Sequence, residues 1–352
     1  MIIEQFLPAF HYGDAIGNST LSFHKFLLSK GIESRIIALT IDDVLEDIAI
    51  PFKDYKEDKD SIKILHFAIP SQLTDFFKNV KGKKVLIYHN ITPPEFFLDF
   101  SEDLVKFTNA GREHLKHLKN IFDMSIGVSE FNTLDLKKLD FKNTKVFPLI
   151  VNLDDYKKPH NKAYYKLLEN ERKNIVFVGR ITPNKKIEDL IKTLFFYKKY
   201  INPSIRLIVA GNTKTLPKYY HAVQDLAARF ILNQEDVFFT GHIPFDELLS
   251  VYRLGDVFLS MSEHEGFCLP LIESSFFQLP VIAYNAGAVS QTLGNSGILV
   301  NHKKYDKIAG LIDEVLNNKE LNNELKQKAK KRIDEYKKES DPEILFDMIR
   351  EL

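Results

Sequence analysis

The chain has 352 residues, enough for two domains of ordinary size, and its 48 Lys and Arg balance 48 Asp and Glu to a formal net charge of zero. That balance argues against nucleic acid as the main partner. The single cysteine, Cys268, excludes an intrachain disulfide framework and a cysteine-based zinc cluster, which makes a reducing cytoplasm the simplest home.

Apolar strand-like runs alternate with amphipathic helical stretches almost throughout. The start, MIIEQFLPAFHYGD, lacks a basic n-region and carries Glu4, so it reads as a first strand rather than a signal peptide. Strands are expected at Ile2–Phe6, Ser34–Leu39, Ile62–Phe67, Lys84–Tyr88, Met124–Val128 and Lys145–Phe147, with helices such as Ser19–Lys30 and Phe131–Leu139 between them. A second series begins at Asn174-Ile-Val-Phe-Val. It continues through Ile205–Ala210, Val237–Thr240, Val257–Ser260, Val281–Ala283 and Ile298–Val300. Two βαβ series imply an α/β chain of two doubly wound, Rossmann-like domains with parallel sheets facing a central cleft. The expected division is 1–155, 156–335, and a C-terminal helix at 336–352 that crosses back to the first domain. The polar stretch from Asp154 to Lys162 is the expected linker. Lys319–Lys338 reads as a solvated, charged helix, and Pro342–Leu352 carries Ile344, Leu345, Met348 and Ile349 on one packing face.

Chemistry concentrates in SEHEGFCLPLIES, residues Ser262–Ser274. The apolar strand DVFLS precedes it, and a helix follows with Pro270 as its expected first residue. Amides at a helix start attract an anion. Yet Glu265 and Glu273 stand in the same segment, and a site wanting phosphate together with hydroxyl-accepting carboxylates suits a sugar nucleotide. Arg180 and Lys185, in VGRITPNKK, follow the first strand of the second series and suit a diphosphate. Taken alone they fit ordinary surface cations near a helix start better. Gly211 and Gly241 end strands, where glycine serves turns or admits a ligand backbone-close. His242 and Ile243 are candidates to cover a base.

Taken together, GRITPNKK, the Gly211 strand end, FFTGHIPFDELLSVYRLGDVFLSMS, EHEGFCLPLIES and LPVIAYNAGAVSQTLGNSGILV resemble the retaining GT-B-fold glycosyltransferases of family 4, the glycosyl transferases group 1. The resemblance runs from about Ile175 to Val300. It implies that Arg180 and Lys185 bind the donor diphosphate, Glu273 holds the ribose hydroxyls, and Glu265 contacts the transferred sugar. It also sets Gly266 and the amides of Phe267, Cys268 and Leu269 beside sugar and phosphate. Cys268 stands where glycine is frequent, which is tolerable if only its amide is used. Lys186 replaces another common glycine, at no expected cost. Ser290 and Gln291 stand where Pro-Glu is frequent.

The first domain is less specific. Gly13 and Gly17, in HYGDAIGN, are expected to admit a phosphate or sugar at a helix start, although the dinucleotide fingerprint is missing. A lone strand-end histidine such as His89 is commonly structural. The resemblance raises it, because the family has a histidine at this edge that meets the donor sugar. Ser129 reads as an N-cap, with Glu130 a weaker acceptor-side candidate. Asp58-Lys59-Asp60 reads as solvated loop, and no metal or other cofactor is expected, since cations and helix amides can neutralise the phosphates. Phe96-Phe-Leu-Asp-Phe and the basic stretch Lys106–Lys119 read first as ordinary packing and a solvated face, with a peripheral membrane contact at the inner face of the plasma membrane as the alternative.

The expected activity is metal-independent transfer of a hexosyl unit from GDP-mannose or a UDP-hexose to a glycan or lipid-linked saccharide acceptor. The alternatives are a nucleotide-sugar epimerase of the same fold and a non-catalytic sugar-nucleotide or glycan-binding subunit.

Overall fold

The computed structural model describes residues 1–11 and 13–352; Tyr12, in the HYGD loop, lies outside them. The chain divides into two compact units. One comprises Met1–Glu95, Glu102–Asn152 and Lys337–Leu352, the other Phe96–Ser101 and Leu153–Tyr336.

The first unit is built on β1 (Ile2–Phe10), β2 (Glu33–Ile41), β3 (Ala49–Pro51), β4 (Ile62–Phe67), β5 (Lys84–Tyr88), β6 (Met124–Gly127) and β7 (Thr144–Val146). They form one parallel sheet in the order β3-β2-β1-β4-β5-β6-β7. β1 is longer than its apolar run suggested, because its pairing with β2 continues to Phe10↔Ile41 after pairing with β4 ends at Phe6↔Leu65. Pro8 lies in that one-sided extension, where a missing N–H costs no bond to β4. β3 went unforeseen, since three residues ending in proline carry no alternation. The helix Ala15–Ser29 begins a turn earlier than expected because Asp14 caps it. Ser129 caps the helix Glu130–Lys138, its Oγ accepting from Asn132 N at 3.2 Å.

Phe6, Leu65, Phe67, Phe77, Leu86, Tyr88 and Leu115 fill the main core of this unit. Glu4 is also fully buried, accepting from Ser61 Oγ at 2.6 Å, Tyr55 OH at 2.7 Å and Arg35 Nη1 at 3.1 Å. A buried carboxylate needs such partners to remain charged. The helix Pro342–Arg350 buries Leu345, Phe346 and Ile349, whereas Ile344, expected on the packing face, is exposed.

The second unit carries β8 (Lys173–Val178), β9 (Ile205–Ala210), β10 (Val237–Gly241), β11 (Val257–Ser260), β12 (Val281–Tyr284) and β13 (Gly297–Val300), all parallel, in the order β10-β9-β8-β11-β12-β13. Counted within the unit, this is the doubly wound order 3-2-1-4-5-6. Val176, Ile208, Phe258, Leu271 and Val281 form its core, covered by helices on both faces. The presumed linker is packed: Tyr156, in the 3-10 turn Asp155–Lys157, is buried against Phe245 and Phe276. The helix Lys319–Glu339 is charged but not wholly solvated, with Leu325, Ala329, Arg332, Ile333 and Tyr336 buried.

No described helix is long and apolar enough to cross a membrane. In the apolar cluster considered for a membrane surface the three phenylalanines pack on protein, while Leu98 is exposed. Phe97 is buried, Phe96 lies 6.2 Å from the His264 ring, and Phe100 meets Tyr219 edge-on at 5.1 Å. The neighbouring basic stretch is laced with acids, Lys116 pairing with Glu113 at 2.5 Å and Lys119 with Asp140 at 3.7 Å.

Candidate functional site

In a doubly wound sheet, ligands collect at the carboxyl ends of the strands where the order reverses. In the second unit this point falls between the adjacent strands β8 and β11. Gly179 and Arg180 leave β8 there, and the loop that becomes Ser262–Cys268 leaves β11.

These two loops are stitched together. Asn184, buried, donates from Nδ2 to His264 O at 3.1 Å, and its carbonyl accepts from Glu263 N at 2.8 Å. Lys185 Nζ donates to both carboxylate oxygens of Glu265, at 2.6 and 2.7 Å. Glu265 is buried and the Lys185 side chain is only 15% exposed, so solvent screens the pair weakly. Lys186 reaches Glu263 at 3.3 Å. Lys303 gathers the outer layer, donating to Glu263 Oε1 and Asp189 Oδ2 at 2.7 Å each and to Met261 O at 2.9 Å. Arg180 is exposed and makes no ion pair or side-chain hydrogen bond with any described residue.

A third loop braces Glu265 from β12. Ala288 N donates to Glu265 O at 3.0 Å. Gly287 has φ +58°, and a Cβ there would lie 2.5 Å from that same carbonyl. Sequence reasoning overlooked Gly287, Asn184 and Lys303. The first two stand inside NAGA and PNKK, but Lys303 has no local signature.

Glu273 sits on the helix Leu269–Phe276 and is buried. Tyr156 OH donates to its Oε1 at 2.6 Å and Tyr252 OH to its Oε2. Burial raises the carboxyl above its ordinary range, and the two hydroxyls oppose that rise. Burial and then Glu273 push the Tyr252 hydroxyl well upward. A carboxylate accepts at about four positions, so two tyrosines leave acceptor capacity for a ligand hydroxyl.

Cys268 precedes that helix in the left-handed region, φ +71°, with Leu269 as first helical residue. Pro270 is therefore second, not first; a proline is tolerated there because the opening N–H groups have no intrahelical acceptor. The amides of Cys268 and Leu269 begin the turn. Burial pushes the Cys268 thiol well above its usual range, with Glu265 adding to the effect. Gly266 is half-buried, and Phe267 is buried, its carbonyl accepting from Thr292 Oγ1 and its ring 6.1 Å from Tyr336. The exchange of glycine for Lys186 is not free, contrary to expectation. Lys186 also takes φ +54°, which disfavours a residue with a Cβ by roughly 1 kcal/mol.

Gly211 answers a demand of its own strand edge. A Cβ at Gly211 would lie 1.8 Å from Gly179 O, and Gly211 N donates to Gly241 O at 3.1 Å. Its smallness lets adjacent strand ends touch. Gly241, at φ +72°, answers a backbone demand. His242 is exposed, while Ile243 packs on the core.

The glycine loop of the first unit is capped from within. Asp14 Oδ2 accepts from Ile16 N and Gly17 N at 3.0 Å each, so a carboxylate already occupies this helix start and disfavours a phosphate. A Cβ at Gly17 would sit tightly, 3.1 Å from His11 O; Gly13 takes φ +81°. His89 follows β5 and pairs through Nε2 with His66 Nδ1 at 3.0 Å. Glu130 is exposed on the first turn of its helix.

Residues 163–332 match the family model described as glycosyl transferases group 1. The capsular polysaccharide biosynthesis glycosyltransferase CapM of Staphylococcus aureus is 25% identical over 213 residues, 59% of this chain and 50% of that protein. A GDP-mannose-dependent alpha-(1-6)-phosphatidylinositol monomannoside mannosyltransferase of Mycobacterium tuberculosis is 28% identical over 157 residues, 42% of this chain and 39% of that protein. The matched part thus spans half or less of these relatives' lengths. Among solved structures, Anabaena HepE in complex with UDP-glucose superposes with a TM-score of 0.75 at 14% identity, covering 99% of this chain and 98% of that one. WaaG, a glycosyltransferase involved in lipopolysaccharide biosynthesis, gives 0.71 at 13% identity, covering 99% of each chain. The chain therefore has the GT-B fold and, over residues 163–332, matches the family model of the glycosyl transferases group 1.

Proposed function

We propose that the protein is a retaining, metal-independent glycosyltransferase of family 4 that moves a hexosyl unit from a nucleotide-diphosphate sugar to a glycan or lipid-linked acceptor. The observation that carries this reading is the Lys185–Glu265 pair at the switch point of the second sheet, with Arg180 exposed on the same strand end. A diphosphate arriving there takes a share of the Lys185 ammonium. That frees acceptor positions on Glu265 for hydroxyls of the transferred sugar. Arg180, Lys185 and the amides of Cys268 and Leu269 then meet the charge that grows on the leaving diphosphate, a preorganised electrostatic effect. Glu273, steadied by Tyr156 and Tyr252, takes the ribose hydroxyls.

By the family resemblance the first unit takes the acceptor, and His89 is assigned a contact with the donor sugar. The departing phosphate helps to deprotonate the acceptor hydroxyl on the same face, so configuration is retained without a protein nucleophile. The named relatives act as transferases, which does not favour the epimerase reading. GDP-mannose and UDP-hexoses are the donors to test first, since a relative is GDP-mannose-dependent and a fold neighbour holds UDP-glucose.

The test is a thermal-shift screen against UDP, GDP, ADP and dTDP sugars, followed by transfer assays with the best donor. One class raising the melting temperature is the expected result, because a ligand bound only by the native state stabilises it. No stabilisation by any of them, together with unimpaired turnover in Arg180→Ala at saturating donor, would overturn the assignment.

A further inference from the structure

Buried side chains in the first unit form a hydrogen-bond relay whose polarity is fixed from its far end. Gln5 Nε2 donates to Thr20 O at 3.2 Å, so Gln5 Oε1 is the acceptor facing His66 Nε2, also at 3.2 Å. Thr20 Oγ1 donates its hydrogen to Ile16 O at 2.9 Å, so toward His66 Nε2, at 3.3 Å, it accepts. Two separate acceptors thus place the ring proton of His66 on Nε2. Burial holds this imidazole neutral by pushing its pKa down to about 3. Nδ1 of His66 is therefore a lone pair. His89 Nε2, 3.0 Å away in a stacked ring, must donate to it. Burial keeps His89 neutral as well, so its one ring proton is spent on His66. What remains is His89 Nδ1, a buried acceptor with no partner among the described residues.

We propose that His66 is a positioning residue that fixes the tautomer of His89, so that His89 Nδ1 serves the sugar nucleotide only as a hydrogen-bond acceptor for a hydroxyl and never as a proton donor. This rests on the reading that His89 belongs to the sugar site. The relay contributes direction: Gln5 and Thr20 point the proton of His66 away from His89, and His66 draws the proton of His89 inward. A hydroxyl that reaches Nδ1 satisfies an otherwise unpaired acceptor, which favours a ligand that brings one.

The test uses the full chain with 15N-labelled histidine and long-range nitrogen–proton correlation spectra. Both rings are expected as neutral Nε2–H tautomers down to about pH 5. Titration with UDP-glucose and, separately, GDP-mannose is expected to move the His89 Nδ1 resonance for the donor that is used. If Nδ1 stays unmoved with a donor that is turned over, the acceptor is satisfied by water and the hydroxyl assignment falls. His66→Phe should leave His89 as a tautomer mixture and lower turnover at saturating donor about tenfold, with a smaller change in KM. His66→Gln, whose Oε1 can accept from His89 Nε2, should restore the tautomer and part of the rate. A proton on His89 Nδ1 in the unaltered protein overturns the proposal. So does full turnover in His66→Phe. Normal turnover in His89→Ala with the tautomers as expected would instead strike the underlying placement of His89 in the sugar site, which separates the two failures.

Discussion

Lys185 and Glu265 close on each other across 80 residues of sequence, one ammonium satisfying both oxygens of one buried carboxylate. Such a pair is not simply a stabilising contact. Its formation removes two charges from water, and the Coulomb gain is largely spent on that desolvation. Breaking it from one side is what costs most.

Lys185→Ala is therefore expected to lower stability by about 3 kcal/mol, because it leaves the Glu265 carboxylate buried and unpaired. Lys185→Ala/Glu265→Ala should lose clearly less than the sum of the two single changes, by about 1 kcal/mol or more. Urea unfolding of the four proteins checks this, and additive losses would contradict the closed pair. Turnover should fall by roughly 100-fold in either single variant.

Gly287→Ala tests the brace behind Glu265. The new Cβ meets the Glu265 carbonyl at 2.5 Å and adopts φ +58°. A loss of about 2 kcal/mol is expected from strain and clash together, with transfer reduced because Glu265 is displaced. Gly241→Ala serves as comparison, since its Cβ would meet nothing within 4 Å. It should lose only about 1 kcal/mol. Equal losses at both positions would refute the close approach of Gly287 to Glu265.

Tyr156→Phe and Tyr252→Phe each remove a hydroxyl from Glu273. A loss of about 1–2 kcal/mol per variant is expected, together with weaker nucleotide binding by calorimetry. Because the native carboxyl is already raised, its contribution is fully present below its unfolded value and is lost as pH rises through the native one. Either substitution removes a bond that holds the native value down, so the loss should extend to higher pH. Unchanged nucleotide affinity in both variants would remove Glu273 from the binding site.

His66 and His89 predict acid sensitivity of the opposite sign. His66 and His89 are held neutral when folded, and both protonate in the unfolded chain below about pH 6.5. The unfolded state then binds more protons, so stability falls as pH drops from about 6.5 toward 3, by about 1.4 kcal/mol per unit for each histidine fully protonated on unfolding. Chemical unfolding between about pH 7 and 4 measures the slope. His66→Phe should make it shallower by close to one proton, and an unchanged slope would show that His66 is not neutral in the fold.

The strands and the principal loops of the site were legible because buried parallel strands read as apolar runs, and because the strand-ending residues keep their spacing in GRITPNKK and EHEGFCLPLIES. Residues whose meaning depends on distant partners were not. Tyr156 looked like linker, yet it reaches Glu273 from 117 positions away. Glu4 looked like a mark against a leader segment, yet Ser61, Tyr55 and Arg35 enclose it. His66 had no signature at all, because the relay is made by β1, β4 and β5 lying side by side. At Gly17 and Gly211 the residue type was noticed, but not the backbone carbonyls of His11 and Gly179 that lie close to them.

The contact between Gly211 and the Gly179 carbonyl also sets limits for anyone wishing to redesign this strand edge. A library that varies position 211 to reach new nucleobases would be dominated by chains whose strand ends are wedged apart, and selection would return glycine whatever the donor offered. Position 242, exposed at the end of the neighbouring strand, has no such obligation. Diversity spent there samples recognition instead of folding.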